Sequence, residues 1–158
     1  MADTVSNTSP LIYLHRLRRL DLLPLSFGRV IVPSQVDQEL TRGRAREYDV
    51  PDLRAQPRIE IRSVALAHDY PELGPGESGA LDLARALPDA IVILDDGAAR
   101  AWAARLGIRS VGTVGILIES KRHGHVDRVA PDLDRLAKLG FRMGPALRQR
   151  ALAECGEG

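Results

Sequence analysis

Cysteine is almost missing from this chain: among 158 residues only Cys155 carries a thiol. One thiol closes no internal disulfide, so a secreted disulfide scaffold is excluded and a reducing cytoplasm is the expected compartment. No Cys/His spacing suits zinc, and no Gly-rich loop ends in Lys-Ser/Thr to cradle a nucleotide. Long apolar runs are also lacking. The longest, Ala90 to Leu94, falls far short of the roughly 20 residues a bilayer span needs, so no membrane partner is expected. Met1-Ala-Asp-Thr has no basic region leading into an apolar run and does not read as a signal peptide. Charge of one sign is not in excess: 22 basic and 21 acidic side chains leave +1, so any polyanion must be drawn by a local patch. Aromatics are only 4%, too few for an extensive base-stacking platform.

What is present is an ordinary globular composition, 44% hydrophobic and 27% charged, on a length that favours one domain. Short β-like runs alternate with longer helical ones. Thr4-Val-Ser6 reads as a strand, then Ser9 as a helix cap with Pro10 at the first helical position. Arg29 to Val32 is a buried strand, and Ser34 with Asp37 resembles a capping box for a helix carrying Val36, Glu39 and Leu40. Thr41 to Pro57 reads as a basic loop with room for one helical turn, and Ile59 to Val64 alternates as a strand. Gly76-Glu77 opens a helix whose stripe is Ala80, Leu81, Ala84 and Leu87. Ala90 to Leu94 suits a central strand buried on both faces. A helix from Ala98 to Leu106, a strand at Arg109 to Val111 and a helix capped by Thr113 follow. From Val126 to Glu154 the pattern is helical, with breaks at Gly140 and Gly144-Pro145. Repeated βαβ units predict an α/β fold, a three-layer α/β/α sandwich around a parallel sheet. The expected division is a core over 1–126 and a helical extension over 127–158 packed on the same domain.

In such sheets ligands bind beyond the carboxyl ends of the strands. Asn7 follows the first strand there, and Asp95 and Asp96 follow the fourth; Glu39 and Glu77 sit on helices. Clustered carboxylates repel unless a cation neutralises them, and oxygen-only donors suit Mg²⁺ or Mn²⁺. Each acid also has a simpler reading. Glu39 can be a plain surface residue, Glu77 favours a helix N-terminus, Asp96 can cap the next helix, and Asp95 can be a turn residue. Asp96 and Arg100 are spaced for a helical ion pair, which in a site would let Arg100 orient Asp96. Asn7 can organise a turn, and Thr113 reads as an N-cap before a ligand. The basic clusters His15-Arg16, Arg18-Arg19, Arg42 to Arg46 and Lys121-Arg122-His123 are solvated faces or phosphate contacts.

Five blocks in register then carry a resemblance: Val5-Ser-Asn-Thr-Ser-Pro-Leu-Ile12, Val32-Pro-Ser-Gln-Val-Asp-Gln-Glu-Leu40, Leu73-Gly-Pro-Gly-Glu77, Leu94-Asp-Asp-Gly-Ala-Ala-Arg100 and Val111-Gly-Thr-Val-Gly-Ile-Leu117. Lys121-Arg-His-Gly124 follows them. From Val5 to Val126 the chain resembles the prokaryotic PIN-domain family, in particular its PIN-like nucleic-acid-binding proteins and toxin-type nucleases. The resemblance implies metal-dependent cleavage of single-stranded RNA, a small antitoxin partner and a homodimer. By position it implies Glu39, Glu77 and Asp96 as the catalytic metal-site acids, with Asp95 adjacent and Thr8 and Ser9 as supporting hydroxyls. Lys121 and Arg122 are the expected nucleic-acid contacts.

Asn7 stands where most active members of the family have aspartate. An amide oxygen can ligate a cation but adds no charge and cannot act as a base. The alternative expectation is therefore a catalytically weak binding module for RNA or protein. A receiver-like or phosphohydrolase domain wants its leading acid after the first strand, where this chain has Asn7.

Overall fold

A computed structural model describes residues 2–158. Five parallel strands form its sheet: β1 (Thr4–Ser6), β2 (Val30–Pro33), β3 (Ile59–Arg62), β4 (Ile91–Ile93) and β5 (Arg109–Val111), in the order β3-β2-β1-β4-β5. Parallel neighbours require crossovers, which α1 (Thr8–Arg16), α2 (Leu22–Phe27), α3 (Ser34–Ala45), α4 (Pro75–Arg85) and α5 (Gly97–Arg105) supply. After β5 come α6 (Thr113–Arg122), α7 (Ala130–Lys138) and α8 (Pro145–Glu154).

Strand alternation divides the apolar side chains between two layers. Val30, Val32 and Ile93 face a core built with Leu11, Leu14, Leu40 and Leu117, from α1, α3 and α6. Val5, Ile31, Val92 and Leu94 face the other core, with Leu81 and Ala84 of α4 and Ala99 and Ala103 of α5. The expected three-layer α/β/α sandwich is the observed fold. The helical extension over 127–158 shares the first core through Val129, Leu133, Leu136 and Ala151.

Local differences from the expected elements have physical causes. α1 starts at Thr8, before the expected Ser9 cap, because extended Asn7 occupies the N-cap position. Pro10 then falls third in the helix, where a missing N–H still costs no intrahelical bond. α3 continues through Ala45 into the segment read as a loop. Its buried stripe, Val36, Leu40 and Gly43, runs on at helical spacing, but a glycine carries no apolar signal in the sequence. Gly112 holds the N-cap position expected for Thr113, which is the first residue of α6.

α7 gains its missing N-terminal partners from a distant carboxylate. Glu157 accepts from the backbone N–H groups of Val129 (2.9 Å) and Ala130 (3.1 Å) and pairs with Lys121 Nζ at 2.7 Å. The Lys121 ammonium, the Val129 N–H and the Ala130 N–H together pull the Glu157 carboxyl down to about 2. A depressed carboxyl stabilises the fold above its unfolded value near 4.5 and loses that contribution as pH falls toward about 2. Glu157→Gln is expected to cost on the order of 1 kcal/mol at neutral pH once solvent screening is allowed for. Urea unfolding of both proteins should show the difference shrinking between those two values; a constant difference would rule out the charged clamp.

Candidate metal centre

The chain leaves β1 toward β2 and later crosses back to β4, so a crevice opens between the carboxyl ends of β1 and β4. Asn7 comes first. Its N–H donates to the Ile93 carbonyl (3.1 Å), locking it between the two strands, and it is only 5% exposed. Its side-chain Oδ1 is buried and has no hydrogen-bond partner. Asp96 follows β4 and caps α5, with Oδ2 accepting from Ala99 N–H at 3.0 Å.

Glu39 reaches the crevice from α3. Thr8 Oγ1 donates to its Oε2 (2.7 Å) and Gly76 N–H to its Oε1 (2.9 Å). Glu77 sits in the first turn of α4, where Gly74 N–H donates to Oε1 at 3.3 Å while Oε2 is buried without a partner. The side chains of Asn7, Thr8, Ser9, Glu39, Glu77 and Asp96, with Gly74 and Gly76, line one cleft of about 310 Å³. The loop entering α4 is anchored by buried Asp82, which accepts from Ala67 N–H (2.9 Å) and from Tyr70 Oη–H (2.6 Å).

Gly76 is a requirement that motif reading missed. A Cβ there would stand 2.5 Å from Glu39 Oε1 and 3.1 Å from Asn7 Oδ1. Only a glycine lets its N–H approach Glu39 while both oxygens stay in place. Its signal in the sequence is Gly74-Pro-Gly-Glu77, a glycine directly before the acid.

Burial pushes the Glu77 carboxyl above its usual range; the Gly74 N–H opposes this, and the Asp96 and Glu39 charges add to it. The cleft thus gathers oxygen acceptors without enough donors. That donor set fits a hard divalent cation, which Asn7, Glu39, Glu77 and Asp96 would hold. The acids share the cleft without forming a closed shell: among the described residues no three His, Cys, Asp or Glu side chains converge as for one ion.

Asp95, expected beside these acids, does not line the cleft. Its two oxygens accept from Thr113 N–H and Oγ1, both at 2.7 Å, and it lines a separate hollow with Arg100. Burial raises the Asp95 carboxyl, while Thr113 and then the Arg100 charge pull it back. The expected ion pair of Arg100 with Asp96 does not form; only the helical Arg100 N–H to Asp96 carbonyl bond (3.0 Å) links them, and the Arg100 charge acts on Asp95 without a direct contact. Lys121 and Arg122 lie at the far end of α6, which runs back toward the opposite edge of the sheet. There Lys121 pairs with Glu157, and Arg122 with Glu119 and Glu154.

A family model described as PIN domain matches residues 3–157. The fold is similar to that of a PilT N-terminus domain protein from the hyperthermophilic archaeon Sulfolobus solfataricus P2. The TM-score is 0.52 at 17% identity, over 74% of this chain and 92% of that one. No curated protein matches the chain.

With its pKa raised in the folded state, Glu77 favours the fold below about 4.5 and opposes it as pH rises through the raised value. In chelator-treated protein at neutral pH, Glu77→Gln should raise the melting temperature by roughly 2–4 °C for each kcal/mol relieved. The gain should fade as pH is lowered toward 4.5. Melting scans across pH check this; an unchanged or lower midpoint at neutral pH would contradict the repulsion.

Proposed function

This chain belongs to the PIN-domain family, whose fold is generally of nuclease type, and on that premise we propose that it is an endoribonuclease using Mg²⁺ or Mn²⁺ to cut single-stranded RNA. The observation that carries the reading is the pair of buried, partnerless oxygens, Asn7 Oδ1 and Glu77 Oε2, in the same cleft as Glu39 and Asp96. A bound divalent ion would supply Lewis acidity toward a phosphodiester and a water molecule made acidic enough to attack it. PIN domains generally use such ions.

The chain's own groups have separable tasks. Glu39 is held in one orientation by donors on two different elements, Thr8 and Gly76, so it presents a preset carboxylate. Asp96 has one oxygen committed to the α5 cap. Asn7 adds an acceptor without charge, which leaves three carboxylates to balance the cation. Glu77, with its affinity for protons raised, is the acid most responsive to what occupies the cleft.

The same proposal includes action in the cytoplasm, pairing of two copies and restraint by a small antitoxin protein. No helix among the described residues is long and apolar enough to cross a membrane. A weaker reading, a PIN fold that binds RNA or protein with little turnover, is favoured by Asn7 alone. Calorimetry with Mn²⁺ separates the two, because the weak module takes up no metal at millimolar concentration while still binding RNA.

Asp96→Asn is the sharpest activity test, since asparagine caps a helix about as well as aspartate and removes only the charge. Purified protein with Mn²⁺ is expected to cleave single-stranded RNA, and the variant should be slower by at least about tenfold. Equal cleavage by both would mark a contaminant.

A further inference from the structure

A second groove, of about 340 Å³, adjoins the acid cleft and shares Thr8 and Glu39 with it. Arg16 of α1, Arg42 of α3 and Arg46 at the C-cap of α3 line it, with Tyr48 and Val50 from the following loop. None of these three guanidinium groups forms an ion pair among the described residues, so each can take an anion without breaking one. Arg16 is steadied by donating through Nε to the Asp49 carbonyl (2.9 Å), and the Asp49 carboxylate is taken up by His15 (2.9 Å). The carboxylate lining the groove is Glu39, at its junction with the cleft.

Arg42 and Arg46 stand one helical turn apart at the C-terminal end of α3, close enough for like charges to repel unless an anion lies between them. Tyr48 is 58% exposed, an unusual position for a large ring, and lies against Gly43, where a Cβ would stand 3.9 Å from its Cδ2. We propose that this groove is the entry track for a single-stranded RNA. Arg16, Arg42 and Arg46 take its phosphates, and Tyr48 stacks one base as the strand passes Thr8 into the acid cleft. An exposed ring beside arginines offers a stacking face that the side chains of an acidic peptide cannot use, which favours a nucleic acid. The track rests on the nuclease reading only for what happens at its end.

The test is fluorescence anisotropy with a labelled single-stranded RNA of about ten nucleotides in chelator, so that binding is read without cleavage. The R42A/R46A double variant is expected to bind on the order of tenfold more weakly or worse, with its salt slope reduced by about 1.4 for two lost phosphate contacts. Tyr48→Leu should weaken binding by roughly tenfold with the salt slope unchanged, and Tyr48→Phe should restore it. Arg29→Ala, before the start of β2 and so at the opposite ends of the strands, should bind as the wild type does. Groove variants that bind RNA with wild-type affinity and slope would overturn the proposal, as would loss of affinity only for an acidic peptide. Groove-dependent binding without any cleavage in Mn²⁺ would keep the track and remove the nuclease.

Discussion

Oxygen acceptors cannot hydrogen-bond one another, and this constraint governs the end of the sheet where β1 and β4 diverge. Asn7 Oδ1 and Glu77 Oε2 are buried there without donors, and Glu39 and Asp96 bring further negative charge to the same cleft. Water, protons or a cation must answer the imbalance; desolvated carboxylates left facing each other oppose folding. The surroundings are arranged to hold it. Thr8 and Gly76 fix Glu39, Ala99 fixes Asp96, and the absent Cβ of Gly76 keeps two of the oxygens close. The parallel sheet makes the arrangement possible, because separate βα units deliver their loops to one edge.

Much of this frame was legible in the chain itself. The unbroken apolar run at Ala90 to Leu94 marked a strand buried on both faces, and Val92, Ile93 and Leu94 are indeed fully buried. Gly107, with φ of +72°, follows α5 where a left-handed residue is needed, in keeping with the expected end of that helix at Leu106. Asn7, Glu39, Glu77 and Asp96 line one cleft: periodicity put Asn7 and Asp96 after strands, and the resemblance to the PIN-domain family implied the acids of the helices beside them.

What was not legible depended on side-chain direction and on silent residues. Two aspartates in a row after β4 look equivalent in one dimension, but consecutive residues leaving a strand point to different sides. Asp95 turns to Thr113, and Asp96 turns to the cleft. Lys121 and Arg122 looked like phosphate contacts until the direction of α6 carried them away from the strand ends, to carboxylates at 154 and 157. Gly43 concealed the last turns of α3, and with them the groove where unpaired arginines meet Tyr48.

If the cleft is what its donors indicate, it is where a divalent ion will be found. Crystals soaked in Mn²⁺ and measured near the manganese absorption edge give an anomalous map that reads this directly. A peak among Asn7, Glu39, Glu77 and Asp96 is expected, with none at Asp95. An empty cleft at saturating Mn²⁺, or a peak seated only beside Asp95 and Thr113, would contradict it.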